Sequence, residues 1–404
     1  MFLTHISLTN FRNFTRLDTT VPSRSILLVG DNAQGKTSLL EAIYFLATFT
    51  SFQADSDRQL INFLAMQVGV LPQPLAVARI VAEYKRGAKK HHIEVRIIQE
   101  VNSTNGEPHL RKEVLFDGIR RKLGEVYCQF NAVMFLPQML AVIDGPPEAR
   151  RRYLNLMLAQ IVPGYAANLS TYSRTISQRN SLLKQLGERN GQMSELIYWD
   201  EQLAALGAQL IFDRIQVVKD LEHLAARTHA DLTHGTEILR LVYQPAYDPL
   251  PQPAGQYTLP LETPLDRSNI PLEKIQQGFQ EHLEQLHAEE IARGVTTIGP
   301  HRDELRFLAN GIDLGKYGSR GQIRTAMLAL KLAEVAWMKE KTGHWPVLLL
   351  DEMLAELDAG RRADLLARLT DTEQAFLTTT DLNLFTHEFT REATLWQIRA
   401  GRLI

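Results

Sequence analysis

A glycine-rich segment between an apolar stretch and an amphipathic one constrains the fold of this chain more than any other feature. Residues 30–37 read GDNAQGKT, directly after SILLV and directly before SLLEAIYFLATF. The spacing fits a phosphate loop, in which glycines let the backbone amides face the phosphates while a lysine and a hydroxyl follow. We therefore expect an α/β fold in which a buried strand delivers this loop to a helix start, where the helix dipole favours an anion.

The predicted nucleotide site combines this loop with an acidic strand end far downstream. Lys36 would bind the β- and γ-phosphates of ATP, and Thr37 would offer its hydroxyl to Mg²⁺. Residues 347–352 read VLLLDE, a strand buried on both faces, with Asp351 as a magnesium ligand and Glu352 placed to polarise the attacking water. The loop residues predicted to contact ATP are Gly30, Asp31, Asn32, Ala33, Gln34, Gly35, Lys36, Thr37 and Ser38.

A second helix start also has the chemistry of an anion site. Residues 317–322 read YGSRGQ and open a long amphipathic helix. One nucleotide cannot use two helix N-termini from the same side as its main phosphate contacts. The economical arrangement holds ATP between the phosphate loop of one subunit and Ser319, Gly321 and Gln322 of another, which predicts a homodimer when ATP is bound.

Composition limits the remaining possibilities. The chain has 404 residues and a net charge of −2, so it can hold two or three domains and any nucleic-acid site must be a local patch. Four basic runs could supply such a patch or be ordinary solvated surface: 85–92, 110–112, 120–122 and 150–152. The lone Cys128 excludes an internal disulfide framework. Without a membrane-length apolar run or a signal-peptide pattern, we expect a cytoplasmic location.

Hydrophobic periodicity divides the chain into α/β regions at 1–147 and 291–404 and a mostly helical region at 148–290. Two long antiparallel helices joined around 188–193 fit the spacing of apolar residues in the helical region. We also predict a polar turn at 102–108, an isolated strand at 236–244, a proline-rich loop at 245–271 and one further helix at 272–294. Asn310 and Gly311 should form the turn of a hairpin.

The motifs resemble those of ABC-type ATPases. SRGQ at 319–322, VLLLDE and AELD at 355–358 resemble the signature, Walker B and D-loop elements, and FLPQML at 135–140 resembles the Q-loop region. This resemblance makes Gln138 the expected metal and water contact. It also implies that the two α/β regions form the two lobes of an ATPase head with mixed β-sheets, and that the helical region is an inserted arm.

Further blocks resemble the RecF family of bacterial DNA repair proteins, in the family's order. They include ISLTNFRNF, GPPEARRRYLN, TIGPHRDEL and TTTD. The resemblance implies a head like those of SMC and Rad-type ATPases. It also implies ATP-driven homodimerisation on gapped or junction DNA, weak DNA-stimulated hydrolysis as a release switch, and action with RecO and RecR in loading the recombinase RecA. The candidate contacts to DNA or partners are Arg150, Arg151, Arg152, His301 and Arg302.

The chain departs from the common RecF pattern at one point and from the general ABC pattern at two. Pro137, Gln138 and Met139 stand where a Pro-Glu-Asp run is common, so the Q-loop contact is a neutral amide. Thr380 and Asp381 stand where general ABC ATPases place a histidine, as they do in RecF-like proteins. Arg320 interrupts the signature, so close backbone approach there depends on Gly321.

Two other functions fit the nucleotide motifs. An ATPase subunit coupled to a membrane transporter would use the same sandwich, and a nucleotide-gated scaffold would bind ATP and barely hydrolyse it. The helical insertion and the GPHRDEL block at 299–305 favour DNA repair over transport. Intact Lys36, Asp351 and Glu352 argue against an inactive scaffold.

Overall fold

A computed structural model of the protein describes residues 1–68, 71–72, 75–101, 108–188, 192–250 and 265–404. The chain forms two compact units, the first made of Met1–Gln138 with Met338–Ile404 and the second of Met139–Trp337. The second unit therefore contains residues 291–337, which the sequence pattern grouped with the α/β regions. The predicted turn at 102–107 and the central part of the proline-rich loop, 251–264, lie outside the described residues.

Strands dominate residues 2–135, and helices follow at 141–232, in agreement with the periodicity. The strands are β1 (Phe2–Phe11), β2 (Phe14–Thr20), β3 (Arg24–Val29), β4 (Gln67–Val68), β5 (Leu71–Pro72), β6 (Leu75–Arg86), β7 (Lys89–Val101), β8 (Pro108–Phe116), β9 (Ile119–Arg121), β10 (Ala132–Phe135), β11 (Leu239–Gln244), β12 (Glu304–Ala309), β13 (Ile312–Asp313), β14 (Val347–Asp351), β15 (Gln374–Thr379), β16 (Thr394–Arg399) and β17 (Arg402–Leu403).

One helix of the second unit, α6 (Ser194–Leu232), has 39 residues and is far longer than the other described helices. The helices are α1 (Lys36–Thr48), α2 (Leu123–Val126), α3 (Ala141–Asp144), α4 (Pro147–Ala159), α5 (Tyr165–Gly187), α6 (Ser194–Leu232), α7 (Leu272–Gln285), α8 (His287–Arg293), α9 (Leu314–Tyr317), α10 (Arg320–Thr342), α11 (Ala359–Thr370) and α12 (His387–Glu392). Across the parts of the chain that the structure describes, none of these helices has the length and apolarity to cross a bilayer.

A largely parallel sheet in the first unit brings the nucleotide motifs to one edge. Its order is β10-β14-β15-β3-β16-β17, and all neighbours are parallel except β16 and β17. Every residue of β14 and β15 is buried, as expected for strands covered on both faces. Since parallel strands end at the same edge, the loop after β3 and the acids at the end of β14 lie near each other, separated by β15.

The first unit also contains an antiparallel sheet of order β2-β1-β6-β7-β8-β9, which confirms the predicted meander. The sheet carries ion pairs both within a strand and between strands. Glu94 accepts from Arg79 at 2.7 Å and from Arg96 at 2.6 Å, and the hydrogen bond from Arg79 is the main cause that lowers the pKa of Glu94 to about 2. Arg111 and Arg120, from two of the basic runs, pair with glutamates on this sheet. Each of these arginines therefore has a carboxylate partner on the sheet.

In the second unit, α5 and α6 pack against each other as predicted, and the residues between them include 189–191, which the structure does not describe. The prediction of an isolated strand at 236–244 was wrong. That strand, β11, pairs with β12, and β12 pairs with β13 across the predicted Asn310-Gly311 turn. The periodicity of β11 showed which face is buried, but it did not encode a partner some sixty residues away. The predicted helix at 272–294 is divided at Leu286 into α7 and α8.

Candidate nucleotide site and signature turn

The phosphate loop joins β3 to α1 in a conformation that its glycines allow. Gly35 has φ +116°, and a Cβ atom added there would lie 2.7 Å from Asn13 Nδ2, so only glycine fits. Lys36 is 4% exposed, and its Nζ donates to the carbonyl oxygens of Gly30 at 2.6 Å and Asp31 at 3.1 Å. The ammonium group is thus held within the curve of the loop. Of the other loop residues, Asp31, Asn32 and Ala33 are exposed, and Gln34, Thr37 and Ser38 are half-buried.

The end of β14 meets the start of α1 through a hydroxyl–carboxylate contact. Thr37 Oγ1 lies 2.9 Å from both carboxylate oxygens of Asp351. On the other side, Thr378 Oγ1 of β15 donates to Asp351 Oδ1 at 2.7 Å and accepts from the Glu352 backbone N–H at 2.9 Å. The hydroxyl of Thr378 thereby fixes Glu352, whose φ of +50° is unusual for a side chain of this size.

Burial shifts the pKa of the acidic residue at the end of β14. Burial is the largest influence on Asp351 and raises its pKa, while the hydrogen bonds from Thr378 and Thr37 oppose that shift. The ionised carboxylate is therefore less stable here than in water. Glu352 Oε1 lies 3.6 Å from Lys36 Nζ, with nearly half of the Glu352 side chain exposed, so it can reach both the lysine and solvent.

The donor set fits a magnesium ion shared with phosphate oxygens. Mg²⁺ commonly takes one or two protein oxygens and completes its octahedron with phosphates and water. Thr37 and Asp351 offer those two oxygens. No group of three or more histidine, cysteine, aspartate or glutamate residues able to hold a metal occurs among the residues that the structure describes. Gln138 lies exposed in the turn just beyond β10, at the same sheet edge as Asp351.

The signature turn lies in the second unit and is built as a capping box. Gln322 N–H donates to Ser319 Oγ at 3.2 Å, and Ser319 N–H donates back to Gln322 Oε1 at 3.0 Å. Gln322 Nε2 also donates to Glu237 Oε1 at 2.9 Å, and the other oxygen of Glu237 lies 3.1 Å from His229 Nε2. Ser319 and Gly321 remain exposed, as does Arg320. The helix start is therefore braced from behind, with its backbone open in front.

Sequence reasoning missed three groups that shape these sites. Thr378 belongs to the TTTD segment, but the sequence does not reveal its contact with Asp351. Arg12 makes two hydrogen bonds, at 2.7 and 2.8 Å, to Glu41, a carboxylate with no exposed surface on the helix after the phosphate loop. Glu237, which supports Gln322, carries no motif at all. The sequence offered one signal for these groups, which is a glutamate, Glu41, within an otherwise apolar helical segment. It offered none for Thr378 or Glu237.

The structure separates the arginines predicted to contact DNA or a partner. Arg150 is 12% exposed and binds both carboxylate oxygens of Glu304, at 2.5 and 2.8 Å, together with the Gly145 carbonyl. Arg151 donates to the Asp303 carbonyl at 3.0 Å. Arg152 and Arg302 are exposed.

His301 and the next acidic residue belong to the interior of the second unit. His301 Nδ1 lies 2.9 Å from the Tyr172 hydroxyl, and burial lowers the pKa of His301 to about 4. Asp303 is 1% exposed and accepts from Arg214 at 2.7 Å, from the Tyr243 hydroxyl and from a backbone N–H. The GPHRDEL block therefore supports this unit internally, and Arg302 is its outward-facing member.

Comparison with known proteins identifies the family. The model of the RecF/RecN/SMC N terminal domain matches residues 2–397. The "DNA replication and repair protein RecF" of Chloroflexus aurantiacus is 37% identical over 411 residues, covering 100% of this chain and 99% of that protein. The protein of the same name from Bacillus subtilis is 34% identical over 415 residues, covering 100% of both chains.

Solved structures agree with this assignment. A structure described as the recombination mediator protein RecF-ATPrS in the RecFOR pathway superposes with a TM-score of 0.81 at 29% identity, covering 100% of this chain and 97% of that one. An Smc head domain from Pyrococcus furiosus, at 15% identity and a TM-score of 0.51, shares the fold. The sequence comparisons, the superposition and the paired nucleotide motifs lead to one conclusion: the chain belongs to the RecF family of DNA replication and repair proteins, with an SMC-type ATPase fold.

Proposed function

We propose that this protein is a DNA-stimulated ATPase of recombinational DNA repair that dimerises on gapped or junction DNA when it binds ATP. The observation that carries the proposal is the convergence of Lys36 and Thr37 on Glu352 and Asp351, with separations of 3.6 and 2.9 Å. This arrangement supplies a phosphate cation, two magnesium ligands and a carboxylate for the water. Hydrogen bonds orient the side chains of Lys36, Thr37 and Asp351, and the backbone of Glu352 is held by Thr378.

Each residue of the site has a distinct role in this proposal. Lys36 binds the β- and γ-phosphates through its ammonium group, and the amides of the loop surround them. Thr37 and Asp351, with Gln138, would hold Mg²⁺, which would supply positive charge beside the phosphate oxygens. Glu352 orients the attacking water and accepts its proton. Slow turnover would make hydrolysis a release switch for the clamped DNA.

The signature turn would complete the site of a second copy of the chain. Its support is the capping box, which leaves Ser319 Oγ and the backbone at Gly321 exposed at the start of α10. A Cβ atom at Gly321 would meet nothing closer than 3.9 Å, so the turn is open to close approach by a phosphate. Helix N-termini of this kind favour anions.

The DNA and partner contacts follow from the family and from exposure. The relatives are described as DNA replication and repair proteins, and one solved relative as a mediator in the RecFOR pathway. We accordingly assign RecR, with RecO, as partners, and the loading of RecA as the outcome. Arg152 and Arg302 are the exposed candidates for contact with DNA phosphates or a partner acid.

A dimerisation assay with ATP and gapped duplex tests the proposal. Light scattering should detect a dimer only with ATP, and DNA affinity should rise with ATP. Lys36→Ala should abolish ATP binding, whereas Ser319→Ala should retain it and lose dimerisation. Ser181→Ala, an exposed serine on α5, is the matched control and should behave as wild type. A protein that stays monomeric with ATP, or equal ATP-binding defects in the two site variants, would refute the composite site.

A further inference from the structure

The phosphate loop is held from outside by the turn between β16 and β17. Gly401 N–H donates to the Gln34 carbonyl oxygen at 2.9 Å, and Ala400 N–H donates to Gln34 Oε1 at 2.7 Å. At the other end of the loop, a Cβ atom on Gly30 would lie 2.4 Å from the Ile398 carbonyl oxygen. The hairpin therefore touches the loop at both of its ends.

The turn between β1 and β2, which contains Asn13, lies against the same hairpin. Gly401 has φ +69°, and a Cβ atom there would lie 2.2 Å from the Asn13 carbonyl oxygen. The Asn13 side chain in turn occupies the space beside Gly35, where a Cβ atom would come within 2.7 Å of Nδ2. Asn13 is thus packed between the hairpin glycine and the last glycine of the phosphate loop.

These contacts bear directly on how the loop can bind phosphate. Its central residues, Asp31 to Ala33, are exposed, and Ala33 has φ +62°. A loop that binds through backbone amides must keep them convergent, and ordering it only on binding would cost conformational entropy. Contacts that hold the loop in its binding shape beforehand remove that cost and raise affinity.

We infer that Ala400, Gly401 and Asn13 are positioning residues that fix the phosphate loop for ATP. They act on Gln34 and Gly35 rather than on the nucleotide. This inference rests on the proposed role of residues 30–38 in binding ATP. The hydrogen bond between Gly401 and Gln34 joins backbone groups. It therefore depends on the position of the hairpin backbone and not on the side chain of Gln34.

Gly401→Ala tests the inference, with Gly118→Ala as its matched control. Gly118 is also a hairpin glycine of the first unit, has φ +77° and would have nothing within 4 Å of an added Cβ atom. Both substitutions strain a left-handed residue, but only the first displaces Asn13 and the loop. We expect KM for ATP to rise about tenfold in Gly401→Ala with kcat at saturating ATP within about twofold, whereas Gly118→Ala keeps both values.

Hydrogen exchange in the wild-type protein gives a second test that does not depend on how a variant folds. A slowly hydrolysed ATP analogue should slow exchange in a peptide covering 397–404 as well as in one covering 30–38, because the hairpin amides open only when the loop does. Slower exchange in the loop peptide alone would overturn the inference, as would equal KM values in the two variants. Absence of ATP binding by the wild-type protein, or normal binding by Lys36→Ala, would instead refute the proposed nucleotide site.

Discussion

Thr378→Val should separate the alignment of the acidic residues from ATP binding. Thr378 is 4% exposed, and its single hydroxyl donates to Asp351 and accepts from the Glu352 N–H. Valine keeps the branched shape of the side chain but removes both hydrogen bonds. Asp351 then loses a donor, and the Glu352 backbone N–H is left without its partner.

The magnitude follows from these two hydrogen bonds. A hydrogen bond to a charged group contributes about 1.5–3 kcal/mol, and a buried N–H without a partner costs about 1–3 kcal/mol. Because one hydroxyl serves both, we expect a loss of about 3 kcal/mol in the unfolding free energy of the first unit. This corresponds to a fall in melting temperature of roughly 6–12 °C for a unit of this size. The turnover number should fall at least about tenfold, since small misplacements of catalytic groups are costly.

Thr379→Val provides the control for this prediction. Thr379 is 3% exposed on the same strand, and its hydroxyl bonds to the backbone carbonyl and N–H of Asp381 at 2.8 and 3.0 Å. It should destabilise the unit comparably and reduce turnover much less. Differential scanning fluorimetry, phosphate release and binding of a slowly hydrolysed ATP analogue measure the three quantities. The reasoning fails if Thr378→Val retains wild-type turnover, or if both variants lose turnover equally.

The structure predicts the direction of the change in stability for three further substitutions. Asp351→Asn should raise the melting temperature of the nucleotide-free protein at pH 7 while abolishing phosphate release, because burial raises the pKa of Asp351; a lower melting temperature would contradict this. Arg12→Ala should cost about 3–5 kcal/mol in urea unfolding, because the buried Glu41 keeps its hydrogen bond from Ser51 but loses its cation; Arg12→Ala with Glu41→Gln should recover part of this loss. The wild-type protein should lose stability as pH falls from about 6.5 to about 4, because His301 is held neutral by burial. This loss should be smaller in His301→Asn, and a pH profile of melting temperatures identical to wild type would contradict the prediction.

The glycine-rich loop between β3 and α1 and the buried strand that ends at Asp351 could be predicted from sequence because their signals are local. The spacing of Gly30, Gly35, Lys36 and Thr37 sets the loop by itself, and the apolar run before Asp351 identifies a strand buried on both faces. The alternation of apolar and polar residues predicted the meander, and apolar residues at three- and four-residue spacing predicted α5 and α6. In each case the residues that determine the structure lie within one element.

The features that sequence could not predict depend on partners far along the chain. β11 has the pattern of a half-buried strand, but its partner β12 lies beyond the proline-rich segment. Arg150 lies in a run of three arginines, which favoured a contact with DNA. Its bidentate pair with Glu304 instead holds it inside the second unit. Glu237 supports Gln322 from a turn with no motif. Charge and periodicity indicate which side chains of a helix or strand are exposed or buried. They do not indicate which distant element it packs against.

The electrostatics of Asp351 couple nucleotide binding to the stability of the first unit. Since burial raises the folded pKa of Asp351, the protonated form contributes stability that is present below the unfolded pKa and lost as pH rises through the folded one. At neutral pH the carboxylate therefore opposes folding, even with hydrogen bonds from Thr37 and Thr378. A divalent cation held by Thr37 and Asp351, as proposed above, would favour the ionised carboxylate and so oppose that effect. The melting temperature of the unit should thus rise more with Mg²⁺ and ATP than with ATP and a chelator, and Asp351→Asn should lose this difference.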